Sequence, residues 1–195
     1  MFIKPRRQRG VTLIELIMFI VIIGAALAGL LQVLSYTTKG SADPVRQKQA
    51  LMIAEGLLEE VRLAGFTYCD PTDPKAVEST TLSAADCDIK ESFGQGTGGE
   101  PVGNRPYDNI NDYVDEPGVA KAAFNNARNK LAVANGAAMD VDGYSAQVTI
   151  TPVALNGIGT TAADSDVLRI TVEVSYDDQT LALDGYRTRY APTFP

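Results

Sequence analysis

The residues of this chain whose types and spacing could do chemistry are few, and the most telling sit near its start. In Gln8-Arg9-Gly10-Val11-Thr12-Leu13-Ile14-Glu15-Leu16 a basic segment stops at a glycine, and one carboxylate lies inside the apolar run that follows. A carboxylate left alone in hydrocarbon is costly, so Glu15 calls for a partner. A cut after Gly10 would create one. The new α-amino group on Val11, with a pKa of about 7.7–8.0, is mostly cationic at neutral pH, and Glu15 becomes the fifth residue of the shortened chain. Paired between neighbouring copies at staggered heights, amine and carboxylate lower the cost of burying each other and set a register. A plainer role stays open beside this one. Thr12-Leu13-Ile14-Glu15 fits the T-x-x-E capping box, which satisfies the first free amides of a helix and places a negative charge at its positive dipole end.

Elsewhere the chemistry thins out. The absence of histidine removes the usual general base, the Ser–His and Cys–His nucleophile pairs and most zinc-site compositions. No catalytic residue, metal ligand or cofactor is expected. Asp140-Val141-Asp142-Gly143 imitates part of a calcium loop but lacks the remaining ligand positions and the later glutamate, so it reads as a turn. Asn109 to Glu116, NINDYVDE, gathers three acids around Tyr113 and reads as an acidic solvated loop. Cys69 and Cys87 lie in a polar, loop-like region, where an even count in an exported domain favours a disulfide over free thiols. Such a bridge would stabilise by roughly 3 kcal/mol on the chain-entropy model.

The elements that must carry these residues follow from periodicity. From Val11 to Leu34 only Thr12, Glu15 and Gln32 interrupt an apolar or glycine run, and its helical length of roughly 36 Å is enough to cross a hydrocarbon core of about 30 Å. The run exceeds the h-region of a secretory signal, about 7–15 residues, and no small-x-small site follows it before the Gly-Ser-Ala stretch, so a retained span is expected. Ala25 and Gly29, with Gly24, Ala26 and Ala28, permit close helix approach. Asp43-Pro44 reads as an N-cap and first helical position. Beyond it Ala50, Ile53, Ala54, Leu57, Leu58 and Val61 form a stripe, with Glu55, Glu59, Glu60 and Arg62 on the other side. One long, bent helix from Val11 to Ala64 is therefore expected. A loop follows to about Pro117, then a short amphipathic helix over Val119–Asn135 on the spacing of Ala120, Phe124, Ala127 and Leu131. GYSAQVTITPV and DVLRITVEVSY then alternate with period two, and TLALDGYRTRY makes a third, less regular strand after Asp177-Asp178. The fold class expected is α+β, with a small antiparallel sheet on the striped half of the helix.

Charge supports an orientation. Lys4, Arg6, Arg7 and Arg9 precede the span, leaving 13 of the 17 basic residues against all 24 acidic ones. The positive-inside bias puts the N-terminus in the cytoplasm and the acidic body outside. An acidic body does not suggest a nucleic-acid-binding surface.

R-G-V-T-L-I-E-L-I, a short basic leader ending in glycine before an apolar helix with glutamate fifth, closely resembles the prepilin motif of type IV pilins and type II secretion pseudopilins. ALMIAEGLLEEVR, RPYDNINDYVDEPG, GYSAQVTITP and LDGYRTRYAP further resemble minor pilins of the mannose-sensitive haemagglutinin (MSHA) pilus. The resemblance implies cleavage by prepilin peptidase after Gly10, N-methylation of Val11, and a role for Glu15 in subunit assembly; Val11 stands where phenylalanine is usual. It also implies a type IV pilin-like fold: a leader at 1–10, a transmembrane and assembly helix at 11–34, its second half at 35–65, a variable loop at 66–141 and a sheet at 142–195. The two cysteines follow the helix, whereas many major pilins place theirs near the C-terminus. The implied partners are prepilin peptidase, other major and minor pilins, the inner-membrane pilus assembly machinery, and membrane lipid before assembly. The implied locations are the bacterial inner membrane, single-pass with a periplasmic head, and then the pilus at the cell surface. A minor pseudopilin, or a single-pass envelope binding module in which Glu15 only caps a helix, are the alternatives.

Overall fold

The computed structural model describes residues 10–39, 44–99, 102–162 and 165–189. The basic leader at 1–9, the Asp43 cap and the end of the last strand-like segment lie outside the described residues. The chain divides into two compact units, Met1–Pro44 and Val45–Pro195. Where the pattern reads as one helix from 11 to 64, the structure has two helical segments, α1 (Leu13–Lys39) and α2 (Pro44–Leu63). Residues 40–43 between them are among those not described.

In the first unit, every residue of α1 from Leu16 to Leu31 is apolar or glycine. Its stretch Leu13–Leu34 is long enough, at about 33 Å, to cross a membrane by length and composition, and none of it is buried.

The second unit is built on α2 and an antiparallel sheet of order β1-β2-β3, with β1 Tyr144–Pro152, β2 Val167–Tyr176 and β3 Gln179–Thr188. β1 and β2 pair from Tyr144 opposite Tyr176 to Pro152 opposite Leu168, and β2 and β3 from Val167 opposite Thr188 to Tyr176 opposite Gln179. Asp177, with a left-handed φ of 49°, turns the second hairpin. Alternation sends Ala146, Val148 and Ile150 of β1, and Leu168, Ile170, Val172 and Val174 of β2, into one core with Ala50, Ile53, Ala54, Leu57 and Val61 of α2. The close approach is at Gly185 of β3, where a Cβ would stand 3.0 Å from Leu58 Cδ1, so glycine admits the helix to the sheet.

Three expectations change. No helix forms over 119–135. Instead Gly118 N–H donates to the Ile150 carbonyl at 2.8 Å, and Lys121 and Val148 exchange amide bonds at 2.9 Å each, so this segment covers the outer edge of β1. Asn126 then makes a turn, its side-chain oxygen accepting from the amides of Arg128 (3.0 Å) and Lys130 (3.2 Å), with Asn129 at φ 56°. Edge pairing and asparagine turn chemistry override a helical spacing that rested on four residues. Phe124 and Leu131 are buried all the same, while Ala120 and Ala127 are exposed.

The second change concerns 109–116. Asn109 to Val114 is buried, and only Asp115 and Glu116 are exposed. Gly65 N–H donates to Asp108 O at 2.8 Å and Ile110 N–H to Gly65 O at 2.9 Å, which straps the 3-10 turn Ile110–Tyr113 beside the end of α2 and delivers Ile110, Tyr113 and Val114 to the core.

The third is Glu60, which does not stand on the solvent side. Its side chain is 10% exposed and pairs with Arg105, itself 8% exposed. Arg105 Nε donates to Glu60 Oε1 at 2.5 Å and Nη2 to Oε2 at 2.8 Å; Nη1 and Nη2 also donate to the carbonyls of Phe124 (2.8 Å) and Ala132 (2.7 Å). The Tyr113 hydroxyl completes the group by donating to Glu60 Oε1 at 3.0 Å. Burial and the adjacent carboxylate push the Tyr113 phenol far above its ordinary range. One guanidinium thus joins α2 to two loop segments.

Candidate functional site

Gly10, Val11 and Thr12 are exposed and not helical, and α1 begins at Leu13. The local cause is Thr12. Its carbonyl accepts the Leu16 amide at 3.1 Å, and its hydroxyl accepts the Glu15 amide at 3.4 Å, which makes it an N-cap. The Gly10–Val11 peptide bond therefore lies just outside the helical hydrogen-bond ladder. Nothing stands within 4 Å of where a Cβ on Gly10 would be. Glu15 sits in the first turn of α1, exposed, among the exposed side chains of Leu13, Ile14, Leu16 and Phe19. Among the described residues Glu15 has no ion-pair partner. The structure thus places a cap, a carboxylate and an accessible glycine junction within six consecutive residues, at the head of a helix that needs an apolar surrounding.

Residues 5–31 match the prokaryotic N-terminal methylation motif. The match spans the junction, Glu15 and the greater part of the apolar run, and it supports a type IV pilin or pseudopilin. It implies processing by prepilin peptidase and assembly with other pilins. Together with the one apolar N-terminal helix it fits a membrane-anchored pilin, and the α+β architecture of long helix and three-stranded antiparallel sheet is consistent with the pilin fold. No curated protein and no solved structure matches the chain.

Cys69 and Cys87 form a disulfide, with their Cα atoms 5.3 Å apart. The loop they close is organised by buried Asp73, whose carboxylate accepts the amides of Ile89 (2.7 Å), Lys75 (2.8 Å) and Asp88 (2.7 Å). These bonds, led by that of Ile89, hold the Asp73 carboxyl below its ordinary range against the opposing effect of burial. Cys69, Asp73 and Cys87 are also the one grouping of three metal-type donors among the described residues; with both sulfurs bonded to each other, it presents no thiolate pair. Asp140 and Asp142 belong to no such grouping, and Gly143, at φ 80°, turns the chain there while its carbonyl accepts from Arg46 Nη2 at 3.3 Å.

The sequence reading missed the Glu60–Arg105–Tyr113 group. The one local signal for it is that Glu60 borders the apolar stripe beside Val61.

Proposed function

We propose that the chain is a minor pilin, a structural subunit that takes part in assembly or initiation of a type IV, MSHA-like pilus after prepilin peptidase removes residues 1–10, and that supports surface attachment. The observation that carries this reading is the helix start, where the methylation motif runs into an apolar helix that no described residue covers. Before assembly, lipid covers α1, with the N-terminus cytoplasmic by the positive-inside bias and the body periplasmic. Hydrolysis of the Gly10–Val11 amide consumes one water and leaves a carboxylate on Gly10 and an amine on Val11, the amine being the substrate for N-methylation. The amine of one copy and Glu15 of its neighbour then pair as both leave the membrane, and neighbouring helices replace lipid. Ala25 and Gly29 allow those helices to approach closely. The partners are prepilin peptidase, major and minor pilins and the inner-membrane assembly machinery, and the subunit needs no catalytic mechanism or cofactor of its own. A minor pseudopilin of type II secretion shares the same junction chemistry; co-purification with pili rather than with a secretion apparatus separates the two.

Two measurements test this. Mass spectrometry of the chain from its native membrane is expected to find a mature start at Val11; a start at Met1, or beyond Gly40, overturns the reading. The second isolates charge from capping. Glutamine serves in a capping box as glutamate does, so Glu15→Gln keeps the cap and loses the charge. If Glu15 pairs with an amine, Glu15→Gln and Glu15→Ala both insert in the membrane and fail in assembly. Normal function of Glu15→Gln would reduce Glu15 to a cap.

A further inference from the structure

The loop between Cys69 and Cys87 is held shut by more than its bridge. Asp70 N–H donates to Ile89 O at 3.1 Å and Glu91 N–H to Tyr68 O at 3.0 Å, which pairs the two ends of the loop. The Asp73 carboxylate reaches from one arm to the other and accepts the Asp88 and Ile89 amides, both at 2.7 Å. The Lys75 ammonium adds an ion pair with Asp88 at 2.6 Å. Opening the disulfide removes one tie of several, so the two sulfurs stay side by side.

They stay beside a carboxylate. Cys69 Sγ, Cys87 Sγ and an Asp73 carboxylate oxygen lie within 4.8 Å of one another, on residues 1%, 8% and 2% exposed. A carboxylate offers about four lone-pair sites, of which the amides of Lys75, Asp88 and Ile89 take three. Two thiolates and a carboxylate oxygen are a donor set for zinc, which binds sulfur and oxygen ligands in tetrahedral geometry and admits water as the fourth. Sulfurs that are each about 2.3 Å from one zinc stand about 3.8 Å apart, a spacing that Cα atoms 5.3 Å apart can supply. Binding of such metals is coupled to closure of the segment that carries the ligands, so ligands buried in the closed loop are reached while it opens. The chain has no histidine and no other cysteine to compete.

We propose that the reduced form of this loop binds one zinc ion through Cys69 Sγ, Cys87 Sγ and the Asp73 carboxylate, so that metal and disulfide are alternative closures of the same loop. A dithiol gives two electrons and two protons to the bridge, leaving two thiols here and a disulfide on the reductant; zinc then displaces the two thiol protons. While zinc is bound, the thiolates are withheld from oxidation. The site is separate from the junction at Gly10 and stands whether or not the chain assembles into a filament.

The test uses the full chain in detergent, reduced with a dithiol, freed of reductant under nitrogen, and titrated with cobalt(II) as a probe and then with zinc(II). Cobalt is expected to bind one per chain, with thiolate charge-transfer and tetrahedral ligand-field bands, and zinc to displace it; the oxidised chain shows neither band. Zinc is expected to slow re-formation of the bridge by oxidised glutathione. Asp73→Asn keeps an oxygen that accepts amides and loses the anionic ligand, so its bridge still re-forms while its zinc affinity falls at least about tenfold. A variant that no longer forms the bridge would make Asp73 a tie of the loop rather than a ligand, and would overturn the assignment. So would absence of the bands from the reduced chain, half an ion per chain, an unchanged rate of bridge formation with zinc, or unchanged affinity in Asp73→Asn.

Discussion

Replacing Arg105 by methionine tests how the second unit is held together. The variant keeps most of the apolar volume and removes four hydrogen bonds, two to Glu60 and one each to the carbonyls of Phe124 and Ala132. Glu60 is left as a buried carboxylate with the Tyr113 hydroxyl as its remaining donor. Removing one member of a buried ion pair costs about 3–5 kcal/mol, because the other charge stays buried without compensation. For a chain of this size that lowers the melting temperature by roughly 6–20 °C. Glu60→Leu alone strands the guanidinium and costs a similar amount. The double variant separates charge from packing: with both charges gone the electrostatic penalty disappears, but the Phe124 and Ala132 carbonyls still lack their donor, at about 1–3 kcal/mol each. The double variant therefore lies well above the sum of the singles and still below the wild type. Urea unfolding of the full chain in detergent, followed by tyrosine emission because the chain has no tryptophan, measures all four species. Additive single effects, or a loss under about 1 kcal/mol in Arg105→Met, would refute the reasoning.

Further outcomes follow from the loop and the glycines. Asp73 has its carboxyl lowered below 3.8 by the backbone amides it accepts. Its contribution to stability is therefore complete above that value and is lost as pH falls toward the depressed folded value. Thermal melts from roughly pH 5 to pH 2 should fall less steeply in Asp73→Asn than in the wild type; equal slopes would remove Asp73 from the acid response. Replacing both Cys69 and Cys87 by serine, which opens a closure of 18 residues, should lower unfolding free energy by about 3 kcal/mol, and an unchanged urea midpoint would contradict it. A Cβ on Gly65 stands 2.8 Å from the Asp108 carbonyl oxygen, whereas one on Gly56 meets nothing within 4 Å. Gly65→Ala should thus destabilise by about 1–3 kcal/mol, while Gly56→Ala, inside α2, stabilises by up to about 1 kcal/mol; the same urea curves read both signs.

Much of the framework is legible because its signals are local. Period-two alternation in β1 and β2, the stripe of α2 and the apolar run of α1 each lie within a continuous stretch, so spacing alone exposes them. The misreadings arise where distant residues decide. Ala120, Phe124, Ala127 and Leu131 have helical spacing, but the backbone of Lys121 finds Val148 on the edge of β1, which no window around residue 120 contains. The acids of 109–116 suggest water, yet the strap from Gly65 to Asp108 and Ile110 carries Asn109 to Val114 inward and leaves only Asp115 and Glu116 outside.

The two glutamates at positions 15 and 60 put the same physical problem with opposite visibility. Glu15 is conspicuous because its surroundings are contiguous: the apolar residues that make it costly are its neighbours in the chain. Glu60 lies between Glu59 and Val61 at the border of the α2 stripe and becomes a buried charge only once the fold exists, with a partner 45 residues away. The solutions differ accordingly. Glu60 is compensated entirely within the second unit, by Arg105 and Tyr113. For Glu15 the described residues supply a capped amide and no cation. A carboxylate at the head of an uncovered apolar helix has two routes to compensation, polar solvent at the membrane face or a cation from outside the chain as it is first made. Under the proposed cleavage, the amine released at Val11 is the second route. On that proposal cutting at Gly10 and retaining Glu15 are one device: each would have its full physical effect only when the other is present, which is why Glu15→Gln, intact as a cap, is the decisive variant.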